Sequence, residues 1–251
     1  MEAKVNRWVS IPGSSNPSRS FRQKCRVVPL IIWVFTIPWF RPQEFAGPSG
    51  NPFSPEKKQS HPDSRVILFF GDSLTAGFGV SSDEAFPALI QKKIQAAGWN
   101  MKVINAGLSG ETTAGGVRRI EWVLNRKIDV LVLALGGNDG LRGIPLEATR
   151  QNLQEIIDRA RGQCPQLKIV VAGMRMPSNL GPAYTASFQA IFPAIAKKNG
   201  AMLIPFLLEG VGGRPELNQA DGIHPTPEGH LIIARNVWKV LEPLLMSLAM
   251  S

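Results

Sequence analysis

Asp221-Gly222-Ile223-His224-Pro225 places an acid and an imidazole three residues apart in a turn. A carboxylate so placed can accept from one ring nitrogen and fix the tautomer, leaving the other nitrogen to take a proton from a hydroxyl. The hydroxyl on offer is Ser73, in Gly71-Asp72-Ser73-Leu74-Thr75, where a glycine permits a tight turn that delivers the serine at the start of the next segment. Read without chemistry, Ser73 or Asp72 would simply cap a helix. Two Gly-rich turns lie between these stretches, Asn105 to Thr112 with Gly110, and Gly136 to Gly140 with Asn138. A glycine lets a backbone N–H approach a substrate, and an asparagine amide can donate to a developing negative oxygen, so Gly110 and Asn138 could form an oxyanion hole. Ordinary left-handed turns would have the same composition. Neither stretch is GxGxxG or carries the Lys-Ser/Thr of a phosphate-binding loop, which disfavours nucleotide binding.

The chain has three histidines, and His61 and His230 lie in a polar linker and inside a helical pattern. Asp221 and His224 therefore lack a third ligand for a metal, and no CxxC pair exists, since Cys25 and Cys164 are the only cysteines. No GxSxG elbow surrounds Ser73, which argues against the standard α/β-hydrolase family.

These residues need a frame that brings them together. Short continuous apolar runs at Val66–Phe70, Met101–Ile104, Val130–Leu135 and Ile169–Ala172, with Met202–Ile204 as a weaker fifth, suit strands buried on both faces of a sheet. Between them, Ala85–Ala97, Gly116–Leu124, Leu146–Ala160 and Ala186–Lys198 show helical spacing, and Glu228–Leu245 closes the chain likewise. Strands alternating with helices predict a parallel, doubly wound α/β sheet, whose binding crevice lies beyond the carboxyl ends of the strands. The Ser73, Gly110 and Asn138 stretches each follow one of the apolar runs.

The remaining composition restricts location and partners. Five of the nine net positive charges fall in residues 1–64, and the rest are scattered, so nucleic acid is excluded as a partner. Residues 1–64 read as an extension: a basic region, an apolar segment at 27–40, and a Pro/Ser/Gly-rich linker at 41–64 that cannot bury a core. The apolar segment contains Pro29 and Pro38 and is shorter than the roughly 20 residues that span a bilayer, so an export signal is expected. The alternatives are an uncleaved membrane anchor, because no small-x-small cleavage pattern follows, and an upstream stretch of no functional consequence. One catalytic domain is expected over residues 65–251, acting as a monomer.

From about Arg65 to Leu245 the chain resembles the SGNH or GDSL hydrolase family, through GDSLT with Ser73, LSGET with Gly110, GGND with Asn138 and DGIH with Asp221 and His224. It is most similar to the bacterial branch of arylesterases and multifunctional thioesterase-lysophospholipases, which also shares GGNDGLRG and the FQAIFP segment Phe188–Pro193. The resemblance implies a flavodoxin-like α/β/α sandwich with about five parallel strands. It implies Ser73 as nucleophile, Asp221 and His224 as relay, an oxyanion hole of the Ser73 and Gly110 N–H groups with the Asn138 amide, and no metal or organic cofactor. The implied substrates are small-molecule or lipid acyl esters or thioesters. In the apolar stretch Gly173 to Tyr184, Met174, Leu180 and Tyr184 are expected to contact the acyl chain, although such residues more often fill a core. Two other functions stay open. A carbohydrate acetyl-esterase would use the same blocks, but Trp99, Trp122 and Trp238 fall in or beside helices rather than on a sugar platform. A tethered non-catalytic binding protein would be expected to have lost at least one block.

Overall fold

The computed structural model describes residues 64–251. The apolar segment 27–40, and the extension around it, lie outside the described residues. The chain runs β1 (Arg65–Gly71), α1 (Ser73–Ala76), α2 (Phe86–Ala96), β2 (Met101–Gly107), α3 (Thr113–Val123), β3 (Val130–Ala134), α4 (Gly137–Leu141), α5 (Leu146–Gln163), β4 (Lys168–Ala172), α6 (Pro182–Lys198), β5 (Met202–Ile204) and α7 (Pro227–Ala249). The five strands form one parallel sheet in the order β2-β1-β3-β4-β5. Helices cover both faces, α2 packing with α7, and α3 with α5, which in turn meets α6. This is the doubly wound sandwich expected from the sequence.

Burial explains the strand sequences. β1 and β3 sit in the middle, and Ile67–Phe70 and Val130–Ala134 are buried on both faces, so neither strand alternates. The edge strand β2 exposes Lys102 and Asn105 and continues three residues past its apolar run, because Asn105–Gly107 pair with Phe69–Gly71. Each helix buries residues at helical spacing, such as Phe86, Ile90 and Ile94 in α2 and Phe188, Ile191, Phe192 and Ile195 in α6.

Strand order and register locate the site. The chain reverses direction across the sheet at β1, between β2 and β3, and that switch point opens a crevice at the carboxyl ends. Gly71 is level with Gly107 and Ala134, so the residues following all three strands emerge at one rim. At Gly107 an added Cβ would stand 2.2 Å from the Ala76 nitrogen, so α1 seats directly on the end of β2 only because no side chain intervenes.

Two helices start three or four residues earlier than the sequence reading, and one turn is helical. α3 begins at Thr113, because the Thr112 side chain accepts from the Gly115 N–H at 3.3 Å and starts a helix through two glycines. α6 begins at Pro182, where a proline's missing N–H costs nothing. The Gly136–Gly140 turn is mostly the short helix α4.

His230, in α7, is fully buried; its Nδ1 accepts from the Phe86 N–H at 3.3 Å and its ring stacks on Phe86. Burial pushes its pKa down to about 4, with Glu84 opposing weakly. The folded state therefore favours the neutral ring, and the stability this gives is complete above about pH 6.5 and lost as pH falls toward 4. The wild type is expected to lose roughly 2–3 kcal/mol in that window beyond the loss of His230→Gln. Parallel melting curves with pH would refute this.

Candidate active site

Ser73 opens α1 immediately after β1. The preceding Asp72 is the cap, its Oδ1 accepting from the Leu74 N–H at 3.0 Å. As the first residue of a helix, Ser73 has a backbone N–H with no partner inside that helix. Asp72 is almost fully buried, and burial raises its pKa to about 6 against the opposing pull of the Leu74 N–H and His224. The helix-cap reading and the nucleophile reading thus fall on adjacent residues and do not compete.

The Asp221 to His224 turn precedes α7. Asp221 Oδ1 accepts from the Ile223 and His224 N–H groups at 2.9 and 3.0 Å, which closes the turn, while Oδ2 lies 2.5 Å from His224 Nδ1. These interactions, the His224 ring first, hold the Asp221 carboxyl down at about 2. An ionised Asp221 keeps the proton on Nδ1, so Nε2 is left to accept, and it stands 2.9 Å from Ser73 Oγ. Gln219 braces the turn, donating from Nε2 to the Phe78 and Pro225 carbonyls, and the Phe78 ring lies 4.6 Å from that of His224.

Gly110 and Asn138 reach the same rim from β2 and β3. Gly110 has φ of +78°, which suits glycine and turns the chain before α3. The Asn138 Nδ2 donates to the Glu111 carbonyl at 3.0 Å and has a longer contact of 3.4 Å to Asp72 Oδ2. The amide is therefore anchored on the residue after Gly110.

Several residues that hold this arrangement carry no signal in the sequence reading. Arg119 pairs with Glu111, donates to the Ala106 carbonyl at 2.8 Å and lies over the Phe70 ring, clamping the Gly110 turn to the sheet. Buried Asp139 accepts from the Thr113 N–H at 2.9 Å and the Thr113 hydroxyl at 2.5 Å, tying α4 to the start of α3. Asp139 could have been noticed as the acid beside Asn138. Nothing in the spacing marks Arg119, eight residues beyond its partner.

An apolar cleft of about 480 Å³ adjoins the rim, lined by Leu74, Gly137, Leu141, Met174, Met176 and Ile223 among others. Of the three residues expected to touch an acyl chain, Met174 lines it. Leu180 and Tyr184 are not among its lining residues. Leu180 ends a 3-10 turn whose first residue, Ser178, lines the cleft, and it is 42% exposed. Tyr184 donates its hydroxyl to the Gly140 carbonyl at 3.0 Å and stacks on Phe188, so it supports α4. Another cavity, of about 720 Å³, lies at the opposite end of the strands around Arg65, Asp129 and Lys168 and brings none of these groups together. Among the described residues, no group of three or more His, Cys, Asp or Glu could hold a metal ion.

Residues 69–232, which span the whole rim, match the model of the GDSL-like Lipase/Acylhydrolase family. The chain belongs to this family. Among the relatives of this GDSL chain, the esterase TesA of Pseudomonas aeruginosa is 39% identical over 183 residues, covering 72% of this chain and 90% of that protein. A thioesterase/protease/lysophospholipase of Escherichia coli is 37% identical over 181 residues, covering 72% and 85%. The crystal structure of a TesA superimposes with a TM-score of 0.69 at 39% identity, covering 72% of this chain and 99% of that one.

Proposed function

We propose that this GDSL-family protein is a serine hydrolase of carboxylic esters or thioesters, working through an acyl-serine. The observation that carries the reading is the continuous relay from Asp221 Oδ2 through His224 to Ser73 Oγ, at 2.5 and 2.9 Å, beside an apolar cleft. Ser73 Oγ attacks the substrate carbonyl carbon as its proton passes to His224 Nε2, and Asp221 stabilises the imidazolium. The carbonyl oxygen becomes an oxyanion held by the Ser73 and Gly110 N–H groups and the Asn138 amide. One Asn138 N–H stays on the Glu111 carbonyl, and the other exchanges its long Asp72 contact for the oxyanion. The tetrahedral species collapses, breaking the bond to the leaving oxygen or sulfur, which takes the proton from Nε2. Water, deprotonated by His224, then releases the acid and restores Ser73. No metal or organic cofactor enters these steps.

The test is turnover of p-nitrophenyl acetate, butyrate, octanoate and palmitate beside palmitoyl-CoA by the full chain. Folded protein inert on all of them would overturn the reading and leave acetylated carbohydrate as the next substrate class. Asn138→Ala is expected to lower kcat by roughly 100- to 1000-fold, the loss found for one oxyanion donor. Near-normal kcat would remove Asn138 from the oxyanion hole.

The acyl chain occupies the cleft lined by Met174, Met176 and Leu141. Leu141→Trp, at a half-exposed position where added bulk leaves the core alone, is expected to cut kcat/KM on octanoate about tenfold relative to acetate. An unchanged chain-length profile would place the acyl chain elsewhere.

Among the described residues no helix is long and apolar enough to cross a membrane. Residues 27–40 act, in this proposal, as an export signal and the catalytic unit works as a monomer. Recovery of intact chain from the membrane fraction would instead make the segment an anchor.

A further inference from the structure

A second groove, of about 530 Å³, adjoins the Gly110 turn and is walled by Leu108, Gly110, Arg118, Trp122 and Arg142 among others. Leu141 lines the apolar cleft and Arg142 lines this groove, so the end of α4 divides the two. Their charge differs: the cleft is lined by one arginine, Arg175, paired with Glu209 at 3.7 Å, whereas the groove carries Arg118, Arg119 and Arg142. Arg119, also in the wall, is neutralised by Glu111, whereas Arg118 and Arg142 have no ion-pair partner among the described residues. Arg142 instead donates to the Gly110 carbonyl at 3.0 Å, which fixes a cation beside the oxyanion glycine. Arg118 and Trp122 are one helical turn apart on α3 and share a face, and the Trp122 indole is 72% exposed.

A tetrahedral carbon on Ser73 Oγ carries three other groups: the oxyanion, the acyl chain and the leaving group. The apolar cleft suits the acyl chain, and the groove beside Gly110 remains for the leaving group. We propose that this groove is a leaving-group subsite for a phosphate-bearing alcohol or thiol, with Arg118 and Arg142 pairing to phosphate oxygens and Trp122 covering what lies beyond. The inference rests on the serine-hydrolase reading. Guanidinium groups match phosphate geometry, and an exposed indole offers a stacking face. Cleavage leaves the phosphate charge unchanged: the acyl carbon–oxygen or carbon–sulfur bond breaks, and His224 supplies the proton to the departing atom. The phosphate can come from a lysophospholipid headgroup or from a nucleotide thioester.

The full chain is assayed on two matched pairs, decanoyl-lysophosphatidate against monodecanoylglycerol, and decanoyl-CoA against the decanoyl thioester of N-acetylcysteamine. Arg118 is the position to change, because Arg142 also holds Gly110. Arg118→Glu is expected to lower kcat/KM on a phosphate-bearing substrate roughly tenfold relative to its neutral partner, and Arg118→Lys to keep most of the preference. A loss on both phosphate substrates, or on one, supports the subsite. Trp122→Ala identifies the source: a further loss of roughly tenfold confined to decanoyl-CoA marks the nucleotide, and its absence marks the lipid. Equal effects of Arg118→Glu on charged and neutral substrates, or none, overturn the proposal. Calorimetric binding of decanoyl-CoA and decanoyl-lysophosphatidate to Ser73→Ala, with and without Arg118→Glu, keeps the tests separate. Inert wild type would defeat the hydrolase reading, while unchanged binding of both ligands would defeat the groove.

Discussion

Ser73→Ala is expected to reduce kcat on any substrate the wild type accepts by about 10⁴-fold or more, since removing the nucleophile removes the covalent path and leaves only oxyanion binding. The loss should come without unfolding. The Ser73 hydroxyl bonds to His224 Nε2, while the cap of α1 is the neighbouring Asp72 carboxylate, so the helix and the strand end keep their interactions. Matching melting temperatures with absent turnover would separate chemistry from folding. Residual activity within a factor of ten of the wild type would place the nucleophile elsewhere.

The second large effect concerns charge rather than the attacking atom. Asp221→Asn should lower kcat about 10³- to 10⁴-fold with a small change in KM. An asparagine has a single oxygen: kept on the Ile223 and His224 N–H groups, it closes the turn as before and places the NH2 group against His224 Nδ1. That NH2 cannot stabilise the imidazolium, and by donating to Nδ1 it holds the tautomer in which Nε2 carries the proton and cannot take one from Ser73. With its pKa near 2, Asp221 is ionised throughout the neutral range, so loss of activity on mild acidification does not arise from its protonation. A kcat loss below tenfold would leave Asp221 only the task of shaping the turn.

The fold was legible because its strands are apolar on both faces. VILFF and VLVLAL can be little else than central parallel strands once helices intervene, and the carboxyl-end rule directs attention to turns that meet at one rim. Ser73, Gly110, Asn138, Asp221 and His224 stood out because each follows a strand or precedes a helix in a Gly-rich turn. The supporting residues were hidden for a physical reason. Arg119 meets Glu111 across a loop, Asp139 meets Thr113 across two helices, and such pairs leave no periodic trace. The cleft wall was harder still. Met174 and Leu180 are six residues apart in one apolar stretch, and which of its side chains line a cleft is set by the path of the chain, which leaves no periodic trace.

Asp221 and His224 belong to one self-closed turn, while Ser73 sits 151 residues earlier at the start of α1. The candidate site is therefore two locally closed halves that meet through the Ser73–His224 hydrogen bond, the Phe78–His224 ring contact and the Gln219 bond to the Phe78 carbonyl. Separating those halves leaves the sheet and its buried layers intact. Warming should silence the protein before it melts, and hydrogen exchange at Gln219 to His224 should report the undocking at temperatures where β1 and β3 stay protected.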